Sequence, residues 1–269
     1  MSSTFPRRLL ATRKPNPPPT QPNSTQLTIP TLHNLSSSQS LRVLWALEEL
    51  TSTNSLKYKL KNYPRVHGPA PPELKSIFPL GKSPILTIEP VNEGEPVPIY
   101  QLNAGVLTES RLILQFLSDT YSNGAWEPLS AQDKRRDEFF QEFANNTFAM
   151  KVSFALLFDV IPPRLPFPFQ QIAALMVRPV VNFWINDLQT VYQLMEDSLW
   201  EEKPWFSGER LGLADFCMSW GMDLAVQRGY FDDKKYPKVA KWYKTVTERP
   251  AYKRALEKGG SYDLINFDM

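Results

Sequence analysis

The segment Ser36–Leu50, with the sequence SSSQSLRVLWALEEL, constrains the fold more than any other part of the chain. Serines stand directly before an apolar run, and serine favours a helix start because its hydroxyl accepts a hydrogen bond from a backbone N–H of the first turn. We expect the helix to begin near Ser37 or Ser38. Because this helix is apolar nearly all round, other elements must cover it on more than one side. Its narrow polar stripe consists of Arg42, Glu48 and Glu49.

The first turn of this helix is also a place where a ligand can bind. Unpaired N–H groups and aligned peptide dipoles favour negative charge at a helix N-terminus, so a hydroxyl there can help to hold an anion. A serine-rich helix start more often serves only as a cap. The segment by itself leaves both interpretations open.

The composition excludes several kinds of protein. The length of 269 residues favours two domains, and a hydrophobic fraction of 42% is ample for a core. A net charge of +2 does not point to nucleic acid or to an acidic partner. The single cysteine, Cys217, rules out an internal disulfide framework and fits a reducing compartment. The two histidines, His33 and His67, are too isolated for a zinc cluster, so we expect no metal.

Residues 1–26 form an extension rich in Ser, Thr, Asn and Pro. This composition predicts a disordered or polyproline-like segment. The extension is basic and contains no acidic residue, which is a feature of mitochondrial transit peptides. We favour a plain disordered extension over a targeting signal, and we expect no secretory signal because an apolar core is lacking. The basic residues are Arg7, Arg8, Arg13 and Lys14.

Residues 27–124 have the pattern of a small mixed α/β domain. Alternation of polar and apolar residues in LKYKLKNY predicts a strand after the serine helix, so the first three elements form a β-α-β unit. The predicted order is βαβαββα. Its elements are a strand at Leu27–His33, the serine helix, a strand at Leu56–Tyr63, a short helix over ELKSIF, strands at Gly81–Ile88 and Val97–Tyr100, and a helix that starts at Thr108–Ser110.

Residues 131–269 are predicted to form a second, all-helical domain. The prolines between Ile161 and Phe169 forbid a continuous helix there. The predicted helices are Ala131–Phe158, Val180–Leu199, Leu213–Val226 and one or two more within Pro237–Leu256, with a loop at Trp205–Arg210. The chain therefore has the fold class α/β plus all-α.

Four segments stand out in order along the chain: Ser38–Trp45 with Glu48–Leu50, Pro79–Leu86, Leu107–Ser110 and Gly208–Asp215. Together they resemble the glutathione transferase family. The resemblance covers roughly Leu27 to Leu256 and implies a thioredoxin-like N-terminal domain followed by the all-helical C-terminal domain of that family. Three more segments, Leu165–Phe169, Tyr236–Pro237 and Lys241–Thr247, resemble more narrowly the fungal membrane-associated type known from yeast.

The resemblance implies a glutathione site with one hydroxyl donor for the thiol. Ser38 is the candidate catalytic residue by alignment of the motif, and Ser36, Ser37 and Ser40 remain alternatives. Glutathione would then be the co-substrate, with no metal involved. A cysteine thiol has a pKa of about 8.5, so a hydroxyl donor and a helix N-terminus would have to lower it to make a nucleophile at neutral pH.

The resemblance also implies residues that hold the rest of glutathione. A cis bond between Ser83 and Pro84 would turn the Ser83 backbone toward the peptide of glutathione, although the sequence alone favours an ordinary trans proline. Glu109 and Ser110 would hold the γ-glutamyl group, where the bare pattern indicates only a helix cap. Lys82 would meet the glycyl carboxylate, unless it is a plain surface lysine.

The implied function is conjugation of glutathione to hydrophobic electrophiles, and the resemblance also allows glutathione-dependent reduction of hydroperoxides. A non-catalytic binding or regulatory module is the alternative, because folds are reused. We expect a cytoplasmic homodimer; association with the endoplasmic reticulum membrane and a mitochondrial location are alternatives. Peripheral membrane contact through Phe154–Phe169 is a weaker hypothesis than a lid over the electrophile pocket. Candidate pocket residues are Phe148, Phe154 and Phe158.

Two further residues in the helical domain receive structural interpretations. The family usually has serine or threonine where this chain has Gly212, so only Asp215 can reach back to a backbone N–H at that helix start. Cys217 lies in an apolar helix and is expected to be an inert core thiol.

Overall fold

The computed structural model describes residues 26–65, 68–92, 94–97 and 100–267. The predicted N-terminal extension lies outside these residues except for Gln26, and so does His67. The first half of the described chain forms the predicted βαβαββα order. Its elements are β1 (Thr28–Leu35), α1 (Ser40–Asn54), β2 (Lys59–Tyr63), α2 (Glu73–Ile77), β3 (Ile85–Pro90), β4 (Val106–Thr108) and α3 (Ser110–Tyr121).

The four strands form one mixed sheet in the order β2-β1-β3-β4, in which β1 and β2 are parallel and the other pairs antiparallel. Pro98 and Ile99 of the predicted hairpin partner Val97–Tyr100 lie outside the described residues, and Val97 and Tyr100 are not in a strand. The described strand that pairs with β3 is β4, which lies later in the chain and pairs Thr108 with Ile85. Gly105 explains the position. Its φ of 62° and its lack of a side chain let the backbone approach Ile88, whose N–H donates to the Gly105 carbonyl at 2.7 Å.

The second half of the chain is helical, as predicted. The long helix predicted to end at Phe158 consists of α4, a π-helical segment at Phe143–Phe148, and α5. The prolines after it support only a 3₁₀ turn at Pro162–Arg164. The helices are α4 (Ala131–Glu142), α5 (Ala149–Asp159), α6 (Phe169–Asp197), α7 (Leu213–Gln227), α8 (Pro237–Thr247) and α9 (Pro250–Gly259).

The predicted start of α6 at Val180 was wrong by eleven residues. The helix begins at Phe169 and continues through Pro179. A proline inside a helix removes one donor and is unfavourable, but α6 packs lengthwise on α5, which stabilises it. Phe154 of α5 stacks on Trp184 of α6 with ring centroids 4.7 Å apart. None of the helices in the described part of the chain is both long enough and apolar enough to cross a membrane.

Helix α1 lies at the centre of the molecule, and every residue from Ser40 to Leu50 is buried. The sheet, α3, α7 and α9 all contact it, so the predicted cover on more than one side is confirmed. Trp45 shows how the two halves share one core. The centroid of its ring lies 4.4 Å from the ring centroid of Phe216 in α7 and 5.6 Å from that of Tyr252 in α9.

The polar stripe of α1 is buried as well. Glu48 receives hydrogen bonds from Arg254 at 2.8 Å and from Lys258 at 2.6 Å, both in α9. Glu49 binds Arg249, which directly precedes α9, at 2.9 Å. These ion pairs hold α9 and the residue before it against α1. The acidic partners are buried, whereas the cationic partners are partly exposed.

Candidate functional site

The serines before α1 form a turn and not the first helical residues. The predicted helix start near Ser37 or Ser38 was wrong by two to three residues, since α1 begins at Ser40. Ser37 has a φ of 51°, a left-handed conformation that cannot continue into a right-handed helix. Residues 36–39 are named the serine turn below.

Ser38 combines a capping role with a place at the positive end of α1. Its hydroxyl donates to the Leu35 carbonyl at 2.7 Å and accepts from the Ser40 backbone N–H at 3.2 Å. The residue is only 8% exposed. Because its proton is directed at Leu35, the Ser38 hydroxyl has to rotate before it can donate to a ligand.

The other three serines have different environments. The Ser36 hydroxyl accepts from the Arg65 backbone N–H at 3.3 Å. The Ser37 hydroxyl accepts from the Asp263 backbone N–H at 3.0 Å. Ser40 is fully buried, and its hydroxyl has no hydrogen-bond partner among the described residues. Ser40 therefore offers no surface to a ligand in this conformation.

Ser83 and Pro84 lie beside the serine turn. The peptide bond between them is cis, as the resemblance implies. The Ser83 hydroxyl donates to the His33 carbonyl at 2.9 Å and accepts from the Leu35 N–H at 3.1 Å, so it is tied to the end of β1. Pro84 is buried and Lys82 is exposed.

The start of α3 lies next to the same segment. Thr108 pairs with Ile85, which places Glu109 across from Pro84. Glu109 is exposed and has a φ of 64°, whereas Ser110 is buried. The structure thus brings the serine turn, Ser83 and the N-terminus of α3 to one edge of the sheet.

Charge and hydrogen bonding make this edge suitable for an anion. The positive ends of the α1 and α3 helix dipoles both lie there. At α1 the Ser40 and Leu41 N–H groups already donate to Ser38, whereas the start of α3 has no side-chain cap. Arg42, which belongs to the polar stripe and to the first of the four resembling segments, donates a hydrogen bond to the Ser110 hydroxyl. His33 lies between the Tyr63 hydroxyl at 3.0 Å and the Thr87 hydroxyl at 3.1 Å, and burial lowers its pKa, so it is a neutral structural group.

A segment that the sequence did not single out covers the serine turn. Residues 260–267, named the C-terminal strap, follow α9. Ser261 accepts a hydrogen bond from the Ser37 N–H at 3.1 Å, and Tyr262 donates to the buried carboxylate of Asp223 at 2.7 Å. The cavity between strap and turn is about 10 Å³, close to the lower limit for one water molecule.

The candidate pocket phenylalanines do not share one location. Phe148 is fully buried and packs against Tyr192, so its expected role as a pocket wall was wrong. Phe154 and Phe158 are half-buried on α5. A cavity of about 600 Å³ lies between α5, the 3₁₀ turn and α6, and no residue of the serine turn lines it. Its polar lining residues are Asp159, Gln170, Gln171, Arg178 and Asn182.

The described residues contain no cluster of three or more His, Cys, Asp or Glu side chains that could hold a metal ion. Cys217 is buried in α7, and burial raises the pKa of its thiol. A thiol with a raised pKa and no exposure is neither a good nucleophile nor a metal ligand. The donors that the described residues supply at the site are hydroxyl, backbone amide and guanidinium groups.

Two family models match this chain. The N-terminal domain of glutathione S-transferase matches residues 36–120, and the C-terminal domain of glutathione S-transferase matches residues 186–250. Together the two models match more than half of the chain. The first includes the serine turn, Ser83 and the start of α3, and the second includes α7 and α8.

Known proteins show the same similarity along most of the chain. Glutathione S-transferase 3 of Schizosaccharomyces pombe is 28% identical over 235 residues, which are 84% of this chain and 86% of that protein. Glutathione S-transferase 1 of Saccharomyces cerevisiae is 26% identical over 232 residues, which are 84% of this chain and 94% of that protein.

A solved structure shares the fold. It is a glutathione transferase homologue from Lodderomyces elongisporus, crystallised with two glutathione molecules per subunit, and its TM-score is 0.65 at 20% identity over 86% of this chain and 99% of that one. The matched domain models, the similarity along most of the chain and the shared fold lead to one conclusion: this chain belongs to the glutathione S-transferase family.

Proposed function

We propose that this protein binds glutathione at the edge formed by the serine turn, Ser83 and the start of α3, and that it activates the glutathione thiol for conjugation to hydrophobic electrophiles. The observation that carries the proposal is the convergence of two helix N-termini on Ser83, which is hydrogen-bonded to β1 one residue before the serine turn. Two N-termini and their hydroxyls match a tripeptide that carries a thiolate on its central residue and a carboxylate at each end.

Ser38 is the proposed donor to the sulfur. A free thiol with a pKa of about 8.5 is only a few per cent thiolate at neutral pH. A hydrogen bond from a hydroxyl at the positive end of α1 would stabilise the thiolate, and each unit by which the pKa falls corresponds to about 1.4 kcal/mol. Rotation of the Ser38 hydroxyl away from the Leu35 carbonyl would supply this bond.

The remaining groups of glutathione have proposed partners on the same edge. The Ser83 backbone would pair with the cysteinyl peptide as an added strand does. Ser110 and the N–H groups of α3 would hold the γ-glutamyl carboxylate, and exposed Glu109 would face the ammonium. Lys82, which is exposed, would meet the glycyl carboxylate.

In the proposed reaction, the thiolate attacks an electrophilic carbon, a carbon–sulfur bond forms and the leaving group departs with its electron pair. With an organic hydroperoxide the thiolate would instead attack oxygen, and a second glutathione would complete the disulfide as the peroxide is reduced to an alcohol and water. The electrophile is proposed to be apolar, with Phe154 and Phe158 as candidate contacts.

The first test is the ultraviolet absorbance of the thiolate of bound glutathione as a function of pH. We expect the bound thiol to titrate at a lower pH than free glutathione in the native protein, and Ser38→Ala to remove that shift while glutathione still binds. Ser36→Ala is the matched control, because Ser36 is a neighbouring serine whose hydroxyl accepts from Arg65. An unchanged shift and unchanged turnover in Ser38→Ala would reject the role of Ser38.

A second candidate is a glutathione-binding module without catalysis. The observation that favours it is the closure of the serine turn, where the strap binds Ser37 and the Ser38 hydroxyl is directed at Leu35. Titration calorimetry combined with assays on several electrophiles and a hydroperoxide separates the two candidates. Glutathione binding with no turnover on any of them would favour the binding module.

We also propose that two copies associate in the cytoplasm. Large apolar side chains on the first half of α6 are exposed and would be covered by a partner subunit. Sedimentation equilibrium should give twice the chain mass; a monomer that floats with liposomes would favour membrane contact instead, and cell fractionation would test the compartment. The side chains are Phe169, Ile172, Leu175, Met176 and Phe183.

A further inference from the structure

The charged residues buried in α1 differ in whether they have an oppositely charged partner. Glu48 and Glu49 both form ion pairs with cationic side chains near the end of the chain. Arg42 is just as buried, with 3% of its surface exposed, yet no carboxylate of the described residues forms an ion pair with it. A buried charge without a counter-ion is unfavourable, so the exception calls for a physical explanation.

The neighbours of Arg42 are neutral hydrogen-bond acceptors. Its guanidinium donates to the Cys217 carbonyl at 3.1 Å and to the side chains of Gln39 and Ser110. Its Nε has no partner among the described residues. Burial lowers the pKa of Arg42, but a guanidinium stays protonated in proteins. Glu109 acts on this charge only through its electric field, because it does not contact the guanidinium.

The bond to Ser110 controls what that serine can do. Because Arg42 donates to the Ser110 oxygen, the proton of the Ser110 hydroxyl must point elsewhere. No described residue accepts this proton. Ser110 is also the first residue of α3, where unpaired backbone N–H groups face the same edge of the sheet. Donors and an unbalanced positive charge therefore meet at one point, which suits a bound carboxylate.

We propose that Arg42 is a positioning residue for the γ-glutamyl carboxylate of glutathione. It turns the Ser110 hydroxyl into a donor toward that carboxylate, and its buried charge is balanced when the carboxylate binds. Arg42 acts through Ser110 and does not itself touch the ligand. This inference rests on the proposed function, since it takes glutathione as the source of the anion.

The test compares two peptides that differ by one group. Calorimetry measures the dissociation constants of glutathione and of 4-aminobutyryl-cysteinyl-glycine, which lacks only the γ-glutamyl carboxylate, for the native protein and for Arg42→Met. We expect Arg42→Met to weaken glutathione binding about tenfold or more, the size of a hydrogen bond to a charged group, and to change binding of the other peptide less than about twofold.

Arg249→Met is the matched control. Arg249 is also an arginine at the contact between the two halves of the chain, but it pairs with Glu49 and has no bond to Ser110. We expect this variant to unfold at a lower temperature because it leaves a buried carboxylate unpaired. Its preference for glutathione over the peptide without the carboxylate should equal that of the native protein.

Thermal unfolding without ligand separates positioning from a structural role. Replacing an unbalanced buried charge with an apolar side chain should leave the melting temperature of Arg42→Met equal to or above that of the native protein. A melting temperature of Arg42→Met that falls as far as that of Arg249→Met overturns the inference. Equal weakening of the binding of both peptides by Arg42→Met also overturns it. If the native protein does not bind glutathione at all, the proposed function fails and this inference fails with it.

Discussion

Individual buried carboxylates in the helical domain have unusual surroundings. Asp223 in α7 is fully buried and accepts hydrogen bonds from three tyrosine hydroxyls. Burial raises the pKa of Asp223 from its ordinary value to about 6, because the bonds from neutral hydroxyls offset only part of the lost hydration. The donors are Tyr243 at 2.9 Å, Tyr252 at 2.7 Å and Tyr262 at 2.7 Å.

This raised pKa predicts a specific pH dependence of stability. The folded state binds the Asp223 proton more tightly than the unfolded state does, so the contribution of Asp223 to the free energy of unfolding is largest below about pH 4 and is lost as the pH rises through about 6. Relative to Asp223→Asn, the native protein should lose about 3 kcal/mol of stability across this window. Chemical denaturation at several pH values measures the difference.

Asp197→Asn provides a control, because Asp197 is an exposed aspartate near the end of α6. A difference for Asp223→Asn that changes no more than the difference for Asp197→Asn between pH 4 and pH 6 would contradict the assigned pKa.

At the scale of elements, the start of α7 shows how a missing local cap is replaced. Gly212 has no side chain to cap with, and its N–H donates to Asp215 at 3.1 Å, as the sequence predicts. The second capping contact comes from α4, where the Asp137 carboxylate accepts from the Ala214 N–H at 2.9 Å. A Cβ at Gly212 would lie 2.5 Å from the hydroxyl oxygen of Ser207.

We therefore expect Gly212→Ser to destabilise the protein even though it restores the residue that the family usually has. The new side chain would overlap Ser207, which costs about 1–3 kcal/mol in a well-packed site. The double variant Gly212→Ser with Ser207→Gly should recover much of that loss, because the clash is removed. The free energies of unfolding of both single variants and of the double variant give the coupling energy between positions 207 and 212. Additive changes in these free energies would contradict the explanation by a clash.

At the scale of the whole molecule, the ion pairs between α1 and α9 join residues about 200 positions apart. The buried carboxylate of Glu48 binds Arg254, Lys258 and the hydroxyl of Tyr58. These favourable charges hold the pKa of Glu48 below its ordinary value despite burial. Its stabilising effect is therefore present above the unfolded-state pKa and is lost in acid.

Glu48→Ala should lower the free energy of unfolding by about 2 kcal/mol at pH 7, between the values for exposed and fully buried pairs, because the cationic partners are partly exposed. The difference should shrink as the pH falls below about 4. Glu89→Ala removes the exposed pair with Lys59 and should change the stability by less than about 0.5 kcal/mol. Equal effects of the two substitutions in denaturation experiments would contradict the role assigned to Glu48.

The C-terminal strap links the far end of the chain to the serine turn. Tyr262→Phe removes the bond to Asp223, so the strap should open more often and the Asp263 amide, which donates to Ser37, should exchange about fivefold faster. Hydrogen exchange measures this rate. Tyr243→Phe removes another bond to the same carboxylate without touching the strap, and equal acceleration in both variants would show that Tyr262 does not hold the strap.

Local signals in the sequence are enough to predict the elements and their order, because apolar spacing, prolines and caps act between residues close in the chain. The βαβαββα pattern, the buried helix at Ser40–Leu50 and the break after α5 follow from such local signals. Errors in the prediction arise where packing between elements decides the outcome. The helix predicted to start at Val180 begins at Phe169, because packing on α5 carries α6 through Pro179. The last strand of the sheet is at Val106–Thr108, where Gly105 lets the backbone approach Ile88.

The contacts at the site depend on how distant parts of the chain pack together. Arg42 meets Ser110, Asp137 caps α7, and the strap closes over Ser37, in each case across 68 or more positions of the chain. Hydrophobic periodicity in the sequence does not predict such pairs, because each residue alone is compatible with an ordinary surface or core position. Their geometry depends on how the two halves pack around α1, and that packing decides which hydroxyls, charges and amides face a ligand.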